Sequence, residues 1–232
     1  MRAWLRCIAF LLVASHAPVV FEQVTAAAVS AQEGPTEAGL EAEFHRTREA
    51  LRASPEFKGD DAESHLRLGE LFGHRGDLTG AVEEYQAAIR LKPEFAEAYR
   101  GLGVVLMDRH DWAGAVEALR ATLRLHADDA EAFYWLGRAL MGQRDWTGAA
   151  EALRMTLQLK PDDAEAYADL GLVRMVQGDP HGAAEALRLA VQLKPDNADA
   201  HHLLETVLAF QDDAEHVART AGQILDTLFA RE

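Results

Sequence analysis

Residues 130–163 read AEAFYWLGRALMGQRDWTGAAEALRMTLQLKPDD, and the same pattern is written in 62–95, 96–129 and 164–197. Gly69, Gly103, Gly137 and Gly171 stand 34 residues apart, as do Ala81, Ala115, Ala149 and Ala183. Asp77, Asp111, Asp145 and Asp179 keep the same interval. One spacing held at several positions without an insertion marks tandem structural repeats. Within 130–163, Phe133, Leu136, Gly137 and Leu140 recur at helical spacing, and a second helical stretch runs from Thr147 to Leu159. Gly142-Gln143-Arg144-Asp145 separates the two, and Lys160-Pro161 stops the second, because proline cannot continue a helix comfortably. Each copy is therefore expected to be a helical hairpin with small residues at its inner contact. Its apolar face can be covered only by stacking on the next copy.

These residues resemble the tetratricopeptide repeat (TPR) family, whose pattern runs Trp-x2-Leu-Gly-x2-Tyr, Ala-x3-Phe, Pro. The aromatic place is held by His65, Tyr99, Phe133, Tyr167 and His201. The Leu-Gly pairs begin at Leu68, Leu102, Leu136 and Leu170, and the third element reads Ala81/Tyr85, Ala115/Leu119, Ala149/Leu153 and Ala183/Leu187. Ala127 replaces one terminal proline, and Arg174 stands where a large apolar residue is usual. The resemblance implies an all-α fold, a right-handed α-solenoid of antiparallel helix pairs with degenerate capping helices. Four repeats are expected at 62–95, 96–129, 130–163 and 164–197.

Outward from the repeats, both ends depart from the pattern. Residues 32–61 read as a linker and a capping helix carrying Leu40, Phe44 and Leu51. Residues 198–232 read as a degenerate repeat, with Glu205 in the glycine place and Val217 in the alanine place. Val217, Ala221, Ile224 and Leu228 share one side of its last helix, while Glu215, Arg219 and Gln223 keep the other polar. That predicts a closing helix at the end of the stack and a monomer. Residues 1–31 differ in composition: Arg2 and Arg6, an apolar run from Cys7 to Ala14, then Val29-Ser30-Ala31. That is the layout of a secretory signal peptide, and the run falls short of the ~20 residues that span a membrane. It predicts export to a bacterial periplasm or beyond, with no stable span after cleavage. The one cysteine, Cys7, lies inside it, so the fold is not expected to depend on disulfides. Without Arg2, Arg6 and Glu22 the formal charge moves from −15 to −16, which argues against nucleic acid as a ligand.

In the family the first helix of each hairpin lines a concave groove. The matching places predict a protein-binding surface of Arg100, Val104, Met107, Tyr134, Trp135, Arg138, Met141, Leu172 and Met175. Methionine is adaptable enough to suit varied apolar segments, and it packs cores equally well. Glu63, Glu97, Glu131, Glu165 and Asp199 fall in first turns, where negative charge meets the helix dipole. The Asp pairs at 128–129 and 162–163 read as helix starts. Family members that clamp a terminal carboxylate carry Lys, Asn and Arg at places held here by Leu66, Glu70, Gly101, Glu131 and Trp135, so that chaperone role is not expected. His201, His202 and Glu205 do not converge as metal ligands must, His201 being expected in a buried aromatic place; His74 and His110 are expected to be solvated. No phosphate loop, zinc-protease helix or cysteine nucleophile points to an enzyme, and no cofactor is expected. The reading is a non-enzymatic scaffold that binds a protein segment. The alternatives are a self-assembling structural protein and an accessory subunit of an envelope export machine.

Overall fold

The computed structural model describes Arg46, Glu49 and residues 61–209 and 213–229. The expected signal segment, and the capping helix through Leu40, Phe44 and Leu51, lie outside the described residues. All ten helices discussed below belong to one compact unit, 50–232; of the other, 1–49, only Arg46 and Glu49 are described, both helical. The helices are α1 (Ala62–His74), α2 (Leu78–Leu91), α3 (Ala96–Asp108), α4 (Trp112–Leu125), α5 (Ala130–Gly142), α6 (Trp146–Leu159), α7 (Ala164–Val176), α8 (Pro180–Leu193), α9 (Ala198–Ala209) and α10 (Ala214–Leu228). No strand occurs among the described residues. Consecutive helices pack in pairs and each pair packs on the next, which makes an α-solenoid; α1, α3, α5, α7 and α9 also meet one another as an inner layer.

The recurring aspartates start the second helix of each pair. Asp77, Asp111, Asp145 and Asp179 accept through Oδ1 from the backbone N–H of Gly80, Gly114, Gly148 and Gly182, at 2.9, 3.0, 3.0 and 2.9 Å. A Cβ at Gly148 would lie 2.6 Å from Asp145 Oδ2, so the glycine is what lets the cap close. Asp129 and Asp163 cap α5 and α7 in the same way. Asp145→Ala frees one helix N-terminus and should cost about 1 kcal/mol, read as a lower urea midpoint at unchanged slope. A midpoint equal to the wild type's would mean the cap adds nothing here.

Within each pair the second helix inserts a large side chain over the glycine of the first. Leu119, Leu153 and Leu187 are fully buried, and Cγ of each would lie 2.7, 2.9 and 2.6 Å from a Cβ at Gly103, Gly137 and Gly171. In the first pair the Tyr85 ring takes that place over Gly69. The turns within pairs pass through left-handed backbone at Gly76, His110, Arg144 and Gly178, again one repeat apart, with φ of 80, 58, 62 and 72°. His110 and Arg144 pay a steric penalty there that glycine avoids.

Two departures from the pattern have local reasons. His65 stands in the aromatic place because its Nδ1 lies 2.6 Å from Glu84 Oε2, a carboxylate 1% exposed. The later repeats carry Ala118, Ala152 and Ala186 where Glu84 stands. Arg174 sends Nη1 to the carbonyl of Gly182 at 2.8 Å and so ties α7 to the start of α8.

The end of the chain corrects one expectation. α10 packs chiefly against α7, two helices back in the inner layer, rather than closing the stack against the adjacent α9. Its buried seam is Val217, Ala221 and Leu225, whereas Leu228 is 57% exposed. The spacing in sequence identifies an apolar side but not the surface that receives it.

Candidate functional site

The inner layer brings Tyr134, Trp135 and Arg138 together on α5. The two rings meet edge to face at 5.1 Å, and the Arg138 guanidinium lies 6.0 and 5.7 Å from their centres. A cation held over aromatic faces is partly desolvated without being buried, a common feature of peptide-binding surfaces. All three side chains are partly exposed. Trp135 Nε1 donates to Glu131 Oε1 at 3.5 Å, the long limit of such a bond.

Arg138 Nε also faces Asp169 Oδ2 on α7, at 3.7 Å, and neither atom has a hydrogen-bond partner. Burial pushes the Asp169 carboxyl up to about 6, against the opposing pull of Arg138. The Tyr134 phenol is raised as well, by burial first and by Asp169 second. Beside this cluster lies a cleft of about 540 Å³ whose lining includes Tyr134, Arg138, Asp169, Leu172, Leu203 and Ile224. Its polar rim includes Lys194, whose Nζ pairs with Glu165 Oε1 at 3.1 Å. A mixed lining of this kind suits a side chain with an apolar body and a polar tip.

The other expected groove residues fall differently. Met107, Met141 and Met175 are 8, 2 and 0% exposed, and Leu172 is 3% exposed. They are core: these first-helix residues face the neighbouring helices, and α10 adds Val217, Ala221 and Leu225 to the same cluster. Val104 stays partly exposed. Arg100 is engaged within the fold, its Nη1 lying 3.1 Å from Asp129 Oδ2 and 2.9 Å from Glu131 Oε2. Of the expected residues, Val104, Tyr134, Trp135 and Arg138 are left partly exposed, as is the ion-paired Arg100.

The histidines need two corrections. His201 is exposed, not buried, and its Nε2 lies 2.9 Å from the Pro195 carbonyl. His110 is half-buried, its ring edge-on to Trp112 at 5.2 Å, with Nδ1 lacking a hydrogen-bond partner. Among the described residues no three His, Cys, Asp or Glu are grouped to hold a metal ion, and no helix is long and apolar enough to cross a membrane.

Spacing in sequence missed the contacts made by the end of α10 altogether. Phe229 meets the Trp112 ring edge-on at 5.3 Å, and Asp226 pairs with Arg144. A second cavity, of about 280 Å³, lies between this end of α10 and Met141, Gly142, Arg144 and Trp146. Trp112 is itself seated on Gly142, where a Cβ would fall 2.5 Å from its ring. Asp226 and Phe229 have no counterpart in the repeat register, which was the signal available in sequence.

Comparison with known proteins bears on the fold first. Models described as tetratricopeptide repeat match residues 136–208 and 100–164, and one described as TPR repeat matches 71–108. No curated protein matches in sequence. Among solved structures, the chain is similar to a MamA protein at 26% identity, covering 74% of this chain and 96% of that one, with a TM-score of 0.60. It is similar to MamA (41-end) from Desulfovibrio magneticus RS-1 at 24% identity over 73 and 96%, TM-score 0.63. YrrB, described as a TPR protein with an unusual peptide-binding site, is 23% identical over 74 and 89%, TM-score 0.61.

Proposed function

We propose that this chain, which belongs to the tetratricopeptide repeat family, is a non-enzymatic adaptor that binds a protein segment on its inner layer. The observation that carries the reading is the partly exposed Tyr134–Trp135–Arg138 cluster beside a 540 Å³ cleft. YrrB supports it as a structural neighbour with a peptide-binding site. Solenoids of this kind use their extended inner surface for binding, though the fold alone does not choose a ligand. Export belongs to the same proposal and rests on the composition of residues 1–31. A monomer is proposed because α10 keeps part of the inner layer covered by the chain itself.

The test is capture of prey from a cell-envelope extract by the full chain and by Trp135→Ala/Arg138→Gln. Glutamine is chosen because a glutamate at 138 would set a second carboxylate against Asp169. Prey recovery should fall at least ten-fold while helical circular dichroism is kept. Undiminished capture by the folded variant would remove the inner layer as the site. Elution from a sizing column as concentration-dependent oligomers would instead favour self-assembly.

A further inference from the structure

The inner layer already holds a helix. α10 lies on α7, one wall of the proposed groove, and seats Val217, Ala221 and Leu225, each four residues from the next. Its C-terminal end is pinned at one edge by Asp226 on Arg144 and Phe229 on Trp112. The fit is incomplete. Cavities of about 540 and 280 Å³ remain along its flank and beneath its end, and Leu228 stays mostly exposed. Ile224 and Phe229 are only partly buried against the same core, so the fully buried seam of this 15-residue helix is one valine, one alanine and one leucine. Gly222, beside that seam, has no heavy atom within 4 Å of where a Cβ would be. There is room next to α10 that larger side chains would fill.

We propose that α10 is a built-in occupant of the groove, and that the groove's partner is an amphipathic helix that displaces it. The partner carries α10's signature: apolar residues at i, i+4 and i+8, the middle one small, then an acidic residue at i+9 for Arg144. Flanking residues bulkier than those of α10 fill the two cavities and supply the difference in affinity. An apolar helical face laid in a groove is a recurrent mode of peptide recognition, read through such four-residue spacing. A resident helix lowers the apparent affinity of any competitor by the fraction of time it occupies the site. Binding is therefore gated by release of α10. This rests on the reading that the inner layer binds protein.

The probe is a fluorescein-labelled peptide of residues 213–229, titrated into the full chain and followed by anisotropy. Three forms are compared, all with Cys7→Ser. In the first, α10 is unaltered. In the second, Asp226→Lys reverses the charge of the pin at an exposed position and leaves the core intact. In the third, Arg144→Cys and Asp226→Cys are joined by a short bismaleimide, with the same chain before joining as its control. Asp226→Lys should bind the peptide at least ten-fold more tightly than the unaltered chain, and joining should abolish saturable binding. Equal affinity before and after joining would overturn the proposal, as would failure of the folded Asp226→Lys chain to bind. Prey capture separates the two readings. If the joined chain still captures prey in a Trp135- and Arg138-dependent way, gating by α10 fails while groove binding stands. If capture ignores Trp135 and Arg138, groove binding of that prey fails, and the peptide titration still decides whether α10 competes for the site.

Discussion

Gly171→Val is expected to destabilise the chain by about 3 kcal/mol, lowering its melting temperature by roughly 6–12 °C. A Cβ at 171 falls 2.6 Å from Leu187 Cγ and 2.9 Å from its Cδ2, and Leu187 is wholly enclosed, so neither helix has a direction in which to yield. The damage does not stay in one repeat. α7 pairs with α8, packs on α6 and carries α10, and in a solenoid each interface supports the next. Gly222→Ala is the matched control on α10, where a Cβ meets nothing within 4 Å. It should gain about 0.5–1 kcal/mol of helix stability by restricting the unfolded chain. If Gly171→Val melted with the wild type, the close approach of α7 and α8 would not be what the glycine serves. The same substitution at Gly103 or Gly137 should behave alike, since Leu119 and Leu153 repeat the contact.

The small residue at that contact was legible in the sequence because its place is local and repeated four times, whereas the leucine seated over it was not read. Gly171 and Leu187 lie 16 residues apart in one hairpin, and the hairpin's own turn brings them together. The Asp145–Gly148 cap was legible as an interval, and the three-residue reach of an N-cap side chain explains it. Surfaces between distant residues were not legible. Arg144 and Asp226 are 82 positions apart, and no periodicity links a closing helix to the layer it enters. The residues at 217, 221, 224 and 228 define a side of α10 that would equally suit the end of the stack. The methionines were ambiguous for a related reason. A first-helix residue at the twelfth place is near both the groove and the neighbouring pair, and helical spacing cannot say which it faces. Burial of Met107, Met141 and Met175 in the core decides it.

Asp169 carries the other large effect, and its sign follows from the direction of its shift. Burial holds the folded-state carboxyl at about 6, above the ~3.9 of an unfolded chain. Between those values the folded state binds the proton more tightly. Stability from this group therefore rises as pH falls from 7 through about 6, and it levels off near 4, where the unfolded chain is protonated too. The two-unit gap corresponds to at most about 3 kcal/mol. Asp169→Asn keeps the shape and removes the titration. It should raise stability at pH 7 by about 1–2 kcal/mol and make the profile from pH 7 to 4.5 shallower than the wild type's. Arg138, left without its carboxylate, is 34% exposed and can take its solvation from water. The remaining groups facing the site are Tyr134 from α5, Glu165 and Asp163 from α7 and its cap, and Lys194, Asp196, Asp199 and His202 along the cleft. They are common to both proteins, so the difference between the two urea-midpoint profiles isolates residue 169. Parallel profiles would mean that the carboxyl is solvated and ordinary. A gain at pH 7 would instead show that the fold keeps, beside its candidate binding surface, a carboxylate that costs it stability. Charge retained at such a cost is what a partner's polar tip would require of the cleft.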